Sequence, residues 1–252
     1  MIQVPRLSDW YVETSRLTGF LPEGTAGSGE GLWKAVVGNE PEATIVRRAQ
    51  GVRQDRGDFD GIPLALNTQS NRLDWLFSGA QSSDVAEKIG FQAVGDVEYA
   101  WRLLGKLTKL WHPHMAPFAR IALGTVALLP VESRRDGYNK LRPLLPNLNM
   151  DLEASTDLLY RINRPRPSNA SIEGLRLNRL ATWTVEESQI LAIEPTSPQT
   201  VASGKPTYAC RVELDVNTMP EFKGTFDPSQ SVKIIEECLT LASELIEKGD
   251  HK

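Results

Sequence analysis

The residue types best suited to chemistry in this chain are its arginines. Arg161, Arg164, Arg166, Arg176 and Arg179 fall within nineteen residues, and Arg47, Arg48, Arg53 and Arg56 form a comparable run earlier. The chain carries 18 arginines against 10 lysines. A guanidinium is a planar fork of donors that matches carboxylates and phosphates and recurs at protein interfaces. Three readings of the later cluster compete. It is a solvated face held by cross-strand pairs to Asp157, Glu173 or Glu213, a protein–protein interface, or a nucleic-acid backbone site with steep salt dependence.

Other chemistry finds little to work with. His112 and His114 flank Pro113, which does not put two ligands on one helix face, and no Cys-x-x-Cys pair occurs. No metal and no cofactor are therefore expected. Gly24, Gly27, Gly29 and Gly31 lack the spacing of a dinucleotide fingerprint and read as a loop. There is no Gly-x-Ser-x-Gly elbow. Cys210 and Cys238 read as buried thiols in a reducing compartment. Asp55, Asp58 and Asp60 share a turn but lack the later bidentate glutamate of a calcium loop. Of six tryptophans, most fall on inward faces, while Trp10 and Trp33 flank the glycine stretch and are expected to be exposed loop contacts.

Composition sets outer bounds. A net charge of −4 and a pI near 5.5 give no overall field for nucleic acid. The charge is uneven, however: residues 120–180 hold ten bases against six acids, and residues 207–252 hold nine acids against five bases. The first residues, Met-Ile-Gln-Val-Pro-Arg, carry no signal pattern, and no apolar run reaches the ~18 residues of a membrane span. The expectation is a cytoplasmic protein with no membrane contact.

The elements that must position these residues are mostly strands. A strand is expected over 10–21. A hairpin follows with arms 43–54 and 62–77, joined by turn-forming glycines and aspartates at 55–61. The second arm changes apolar phase between Leu66 and Leu73, read as a β-bulge. A helix is expected from Ser83 to Trp111, ending before Pro113. Phe118–Val131 reads as a central strand buried on both sides. A short helix with loops fills 132–157, hairpin arms occupy 158–164 and 174–185, a loop covers 195–206, and a strand runs 207–217. The last helix is the best marked: Asp227 at the N-cap, Pro228 at N1, Gln230 at N3, and Gly249 at the end.

This order, strands then helix twice over, predicts an α+β fold: a pseudo-duplicated antiparallel sheet with two long amphipathic helices packed on one face. The halves divide at 1–114 and 115–252, as two units or one continuous domain. Leu17–Glu23 and Thr125–Glu132 carry similar wording.

Gly174-Leu175-Arg176-Leu177-Asn178-Arg179, then Leu214-Asp215-Val216-Asn217-Thr218 and the closing helix, resemble an uncharacterised, sporadically distributed bacterial family of about this size. That family shows Gly-Leu-Arg-x-x-Asn, where this chain has Gly-Leu-Arg-x-Asn-Arg. The resemblance implies no established chemistry, no catalytic residues and a mobile or antiviral-defence setting. The resulting expectation is a non-enzymatic interaction or adaptor subunit of a larger bacterial assembly, with protein partners encoded nearby. Its contacts would be Arg161, Arg164, Arg166, Arg176 and Arg179, with Trp10 and Trp33 beside the loop. The alternatives are a nucleic-acid or phosphate binder using the same arginines, and an enzyme with a site between the halves.

Overall fold

Strands whose side chains alternate between apolar and polar can bury one face and leave the other to solvent. This chain does so on a large scale. The computed structural model describes residues 4–25, 29–80, 89–149, 151–193 and 200–250. Its strands are β1 (Tyr11–Phe20), β2 (Ala43–Arg47), β3 (Val52–Phe59), β4 (Ile62–Gln69), β5 (Arg72–Ser78), β6 (Gly95–Asp96), β7 (Arg120–Val131), β8 (Leu159–Asn163), β9 (Arg166–Pro167), β10 (Arg176–Ile193) and β11 (Thr200–Thr218). The helices are α1 (Leu32–Val37), α2 (Val97–Trp111), α3 (Arg134–Leu141) and α4 (Pro228–Lys248). The fold thus combines a large antiparallel sheet with helices.

All eleven strands join one sheet in the order β2-β3-β4-β5-β1-β7-β11-β10-β8, with β6 on β1 and β9 on β10. Sequence halves 1–114 and 115–252 meet where β1 pairs antiparallel with β7, from Tyr11↔Leu128 to Phe20↔Arg120. On the buried side of that seam the hydroxyls of Ser15 and Thr125 lie 2.9 Å apart and satisfy each other. Leu17, Leu66, Trp75, Phe77, Ala127, Trp183, Val212 and Val216 are all buried on the same side as this pair, in one apolar core with Leu104, Leu107, Ile235, Cys238 and Leu241 from the helices.

Helix α2 begins at Asp96, whose carboxylate accepts from Tyr99 N–H at 2.7 Å. Helix α4 has the expected boundary: Asp227 and Gln230 form a reciprocal capping box, Pro228 sits at N1, and Gly249 N–H donates to Leu245 O at 2.8 Å. The two helices touch, and Trp101 Nε1 donates to Ser243 Oγ at 2.8 Å.

Several expectations shift. The expected arms 43–54 and 62–77 each divide, β3 runs through most of the expected turn to Phe59, and β2–β5 form a four-strand meander beside β1. The change of apolar phase after Leu66 is no bulge. It is the tight turn Ser70–Asn71 between β4 and β5, which reverses the chain and so resets which residues face inward. The single helix expected from Ser83 to Trp111 is interrupted: Ile89 is helical, Gly95–Asp96 pairs with β1, and α2 spans Val97–Trp111; residues 81–88 lie outside the described residues. Strand β7 is central, yet it alternates in burial instead of being buried on both sides. The 174–185 arm runs on to Ile193. Its return strand starts at Thr200, and residues 194–199 of the expected loop lie outside the described residues.

Candidate functional site

The unburied face of the sheet is polar and hollow. Its register lines up side chains from seven strands. Across β4, β5, β1, β7, β11 and β10 runs the row Asn67↔Asp74↔Thr18↔Ala122↔Asn217↔Asn178. One pleat further along, the row is Leu76↔Arg16↔Gly124↔Asp215↔Leu180, and the next contains Val126, Glu213, Thr182 and Arg161. The second and third rows, with Asn67 and Asp74 of the first, line a concavity of about 750 Å³.

Its charged groups are positioned, not loose. Asp74 is nearly buried and accepts from Thr18 Oγ1 at 2.5 Å and from Arg72 Nε at 2.9 Å, with Arg16 Nε 3.9 Å away. At the far end Asn163, Asn178, Asn217 and Asp215 form a relay: Asn163 Nδ2 to Asn178 at 2.9 Å, Asn178 Nδ2 to Asn217 at 3.0 Å, and Asn217 Nδ2 to Asp215 at 2.8 Å. Such a network fixes each amide by its neighbour and holds Asp215, which lines the hollow, in place. Gly124 leaves the middle open, and the Arg16 guanidinium lies over it; a methyl there would sit 3.5 Å from Arg16 Nη2. Glu213 of the lining is held by Arg211, which pairs with it at 3.0 Å and with Glu13 at 2.6 Å. Three arginines (Arg16, Arg72, Arg161) face three acids (Asp74, Glu213, Asp215) in the lining, so the hollow carries both signs and no net charge.

The arginine cluster read from sequence is dispersed by the fold. Arg161 alone reaches the concavity. Arg164 donates through Nε and Nη2 to Asp250, whose carboxylate also accepts from Tyr160 O–H at 2.5 Å. The Arg164 hydrogen bond holds the Asp250 carboxyl below its usual range, and the same contact raises Arg164. Arg166 and Arg179 converge on Glu244 at 3.1 and 3.8 Å. Burial, with Arg166 close by, lowers the pKa of Arg179. Arg176 is exposed and reaches Pro165 O at 3.3 Å. The counter-charges expected from Asp157, Glu173 and Glu213 are thus replaced for Arg164, Arg166 and Arg179 by Asp250 and Glu244, delivered by α4 and the residue just past its cap. A cross-strand rule cannot find them because they come from another layer.

Trp10 and Trp33 correct a second expectation: they are 0% and 1% exposed. A 3-10 turn at Leu7–Asp9 tucks Trp10 edge-on against Trp183, centroids 6.0 Å apart. Trp33 slides over Gly57, where even a methyl would lie 2.9 Å from its ring, and packs 6.0 Å from Trp75. Residues 26–28 of the glycine stretch lie outside the described residues.

Cys210 and Cys238 are unpaired and buried, and burial pushes both thiols well above their ordinary pKa. Among the described residues no group of three or more His, Cys, Asp or Glu side chains is gathered as a metal site. No helix among them is long and apolar enough to cross a membrane.

Sequence reasoning missed three charged residues of the concavity: Arg16, Arg72 and Asp74. A signal existed, since Thr14-x-Arg16-x-Thr18, Arg72-x-Asp74 and Glu213-x-Asp215-x-Asn217 all set polar residues at period two. What was absent was the strand order that puts them side by side.

No protein-family model matches this chain, and a search of curated proteins gave no significant match.

Proposed function

We propose that this chain is a non-enzymatic interaction subunit of a larger bacterial protein assembly, and that its partner is a polypeptide seated in the concave face of the sheet. The observation that carries this reading is the hollow itself: about 750 Å³, open, and lined by equal numbers of arginines and acids. A polyanion would be repelled by Asp74, Glu213 and Asp215. A peptide of mixed charge has complementary groups for both signs, and electrostatic complementarity of that kind selects partners. Arg161 joins this surface, while Arg164, Arg166 and Arg179 act mainly in holding α4 to the β8–β10 hairpin. The resemblance to a sporadically distributed family supports a defence-associated setting and partners encoded nearby.

The finer architecture belongs to the same reading. The order β3-β4-β5-β1 followed by β7-β11-β10-β8 is the pattern expected if one strand–helix unit were duplicated and joined through its first strands. Contacts of α2 with β1, and of α4 with β7 and β11, support both long helices covering the buried face. That arrangement would free the opposite face for a partner.

The test is co-expression with the products of adjacent genes, followed by size exclusion. The wild-type chain is expected to co-elute with one of them. Arg161→Glu combined with Arg16→Glu, and separately Gly124→Trp, should abolish co-elution without altering the circular dichroism. A partner retained by all these variants would refute the assignment of the concave face. Salt-dependent binding of a labelled oligonucleotide, lost in Arg161→Glu, would instead favour the nucleic-acid reading.

A further inference from the structure

The equal count of arginines and acids in the hollow conceals an unequal supply of free groups. Each acid is already engaged within the sheet. Asp74 accepts from Thr18 Oγ1 and Arg72 Nε, Glu213 accepts from Arg211 Nε and Nη2 at 3.1 and 3.0 Å, and Asp215 accepts from Asn217 Nδ2 at 2.8 Å. Two of the arginines are not engaged. Arg16 is half exposed, donates no hydrogen bond among the described residues, and stands 3.9 Å from the Asp74 carboxylate that Arg72 holds at 2.7 Å. An exposed pair at that distance contributes little. Arg161 is exposed and has neither a hydrogen bond nor an ion pair among the described residues. Both guanidinium forks are therefore open, and such a fork is matched by a carboxylate or a phosphate. On the same face of β8 as Arg161, and also in the lining, stands Leu159, 70% exposed. Aliphatic surface beside an open guanidinium suits the side chains of a polypeptide and not a chain of phosphates.

We propose that the polypeptide seated in this hollow is an acidic and aliphatic segment, with one carboxylate on Arg16, a second on Arg161, and an aliphatic side chain against Leu159. This rests on the concave face being a docking surface and adds the chemistry of what docks there. Arg16 lies in β1 and Arg161 in β8, four strands across in the order β1-β7-β11-β10-β8. At ~4.8 Å per strand they are about 19 Å apart along the sheet, so one carboxylate cannot serve both. An extended chain covers that span in about six residues. Gly124, next to Arg16 on this path, leaves room for the segment to cross: even a Cβ there would meet nothing closer than 3.5 Å. Glu213 and Asp215 lie between the two arginines in strand order and oppose a continuous run of acids. Two spaced carboxylates therefore fit where a polyanion does not.

The test is fluorescence anisotropy on the full chain at low salt with two labelled peptides. Both share one frame of glycine, serine and leucine; one carries two glutamates at the proposed spacing, the other two lysines at the same places. The glutamate peptide should bind on the order of tenfold more tightly. Arg16→Gln with Arg161→Gln should erase that preference, and Leu159→Ser should weaken the glutamate peptide about threefold. Glu213→Gln should leave it as tight or tighter, and Gly124→Trp, which fills the hollow, should abolish binding. Equal binding of the two peptides, a preference for lysine, no binding of the glutamate peptide, or a preference that survives the double arginine variant overturns the proposal. So does an oligothymidylate that binds more tightly than the glutamate peptide and is lost in Arg161→Gln. Gly124→Trp separates this failure from that of the docking surface itself. Lysine-peptide binding that Gly124→Trp abolishes keeps the hollow as a docking surface with a different occupant, whereas peptide binding that Gly124→Trp leaves intact removes the docking surface as well.

Discussion

Gly19 lies in β1 at the seam between the halves, opposite Ile121 of β7 and Leu73 of β5. The ring of Phe118 fills the space a side chain would occupy there. A Cβ on residue 19 would fall 2.4 Å from Phe118 Cε1 and 2.6 Å from Cζ. The ring has little room to retreat, because it is fully buried and lies 5.3 Å from Trp111. Gly19→Ala therefore overpacks a rigid site, a class of change that costs about 1–3 kcal/mol. Against this stands a gain of about 0.4–1 kcal/mol from the less flexible unfolded chain. The net expectation is a loss of about 1–2 kcal/mol, or a Tm lower by roughly 2–8 °C for a chain of this size. Phe118→Leu removes Cε1 and Cζ, the two nearest atoms, and alone should cost about 1–3 kcal/mol as a cavity. In combination the two should be less harmful than their sum by about 1–2 kcal/mol, because each accommodates the other. Urea unfolding of the four proteins measures this. A Gly19→Ala variant as stable as wild type, or strict additivity, would refute the close contact and the way it locks the seam.

Other outcomes follow from the same contacts. Asp250 has its folded pKa depressed by Arg164, so the stability it supplies is full above the ordinary carboxylate pKa of ~3.9 and is lost as pH falls through the lower folded value. Asp250→Asn should therefore destabilise the protein at pH 7, with the difference from wild type shrinking as pH is taken down through that window; a penalty independent of pH would contradict the assignment. Cys210 and Cys238 should not react with a thiol reagent in the native protein and should both react in urea, a change read by absorbance. Asp227→Ala removes the cap that accepts from Gln230 N–H at 2.8 Å and should cost about 1 kcal/mol, measured by chemical denaturation.

Legibility in the sequence followed the range of the interaction. The start and end of α4 were readable because a capping box and a terminal glycine act within four residues. The alternation of Leu175, Leu177, Ala181 and Trp183 was readable because a strand's facing repeats every two residues. The turn at Ser70–Asn71 and a β-bulge both reset the phase of an apolar pattern, and only strand pairing distinguishes them. The arginine cluster was visible as composition, but its meaning was not. Arg164 finds Asp250 from 86 residues away, and Arg166 finds Glu244 from 78.

By itself the sequence determined a strand-rich chain closed by a capped helix, a tryptophan-rich interior and two thiols placed for burial. These are consequences of local propensity and of the cost of leaving apolar surface in water. Only the tertiary structure decided that Trp10 and Trp33 are core, that three of five arginines are tied to α4, and that Arg16, Arg161, Asp74 and Asp215 share one hollow. Which strands lie side by side is set by burial summed over the whole sheet, and no window of neighbouring residues contains that sum.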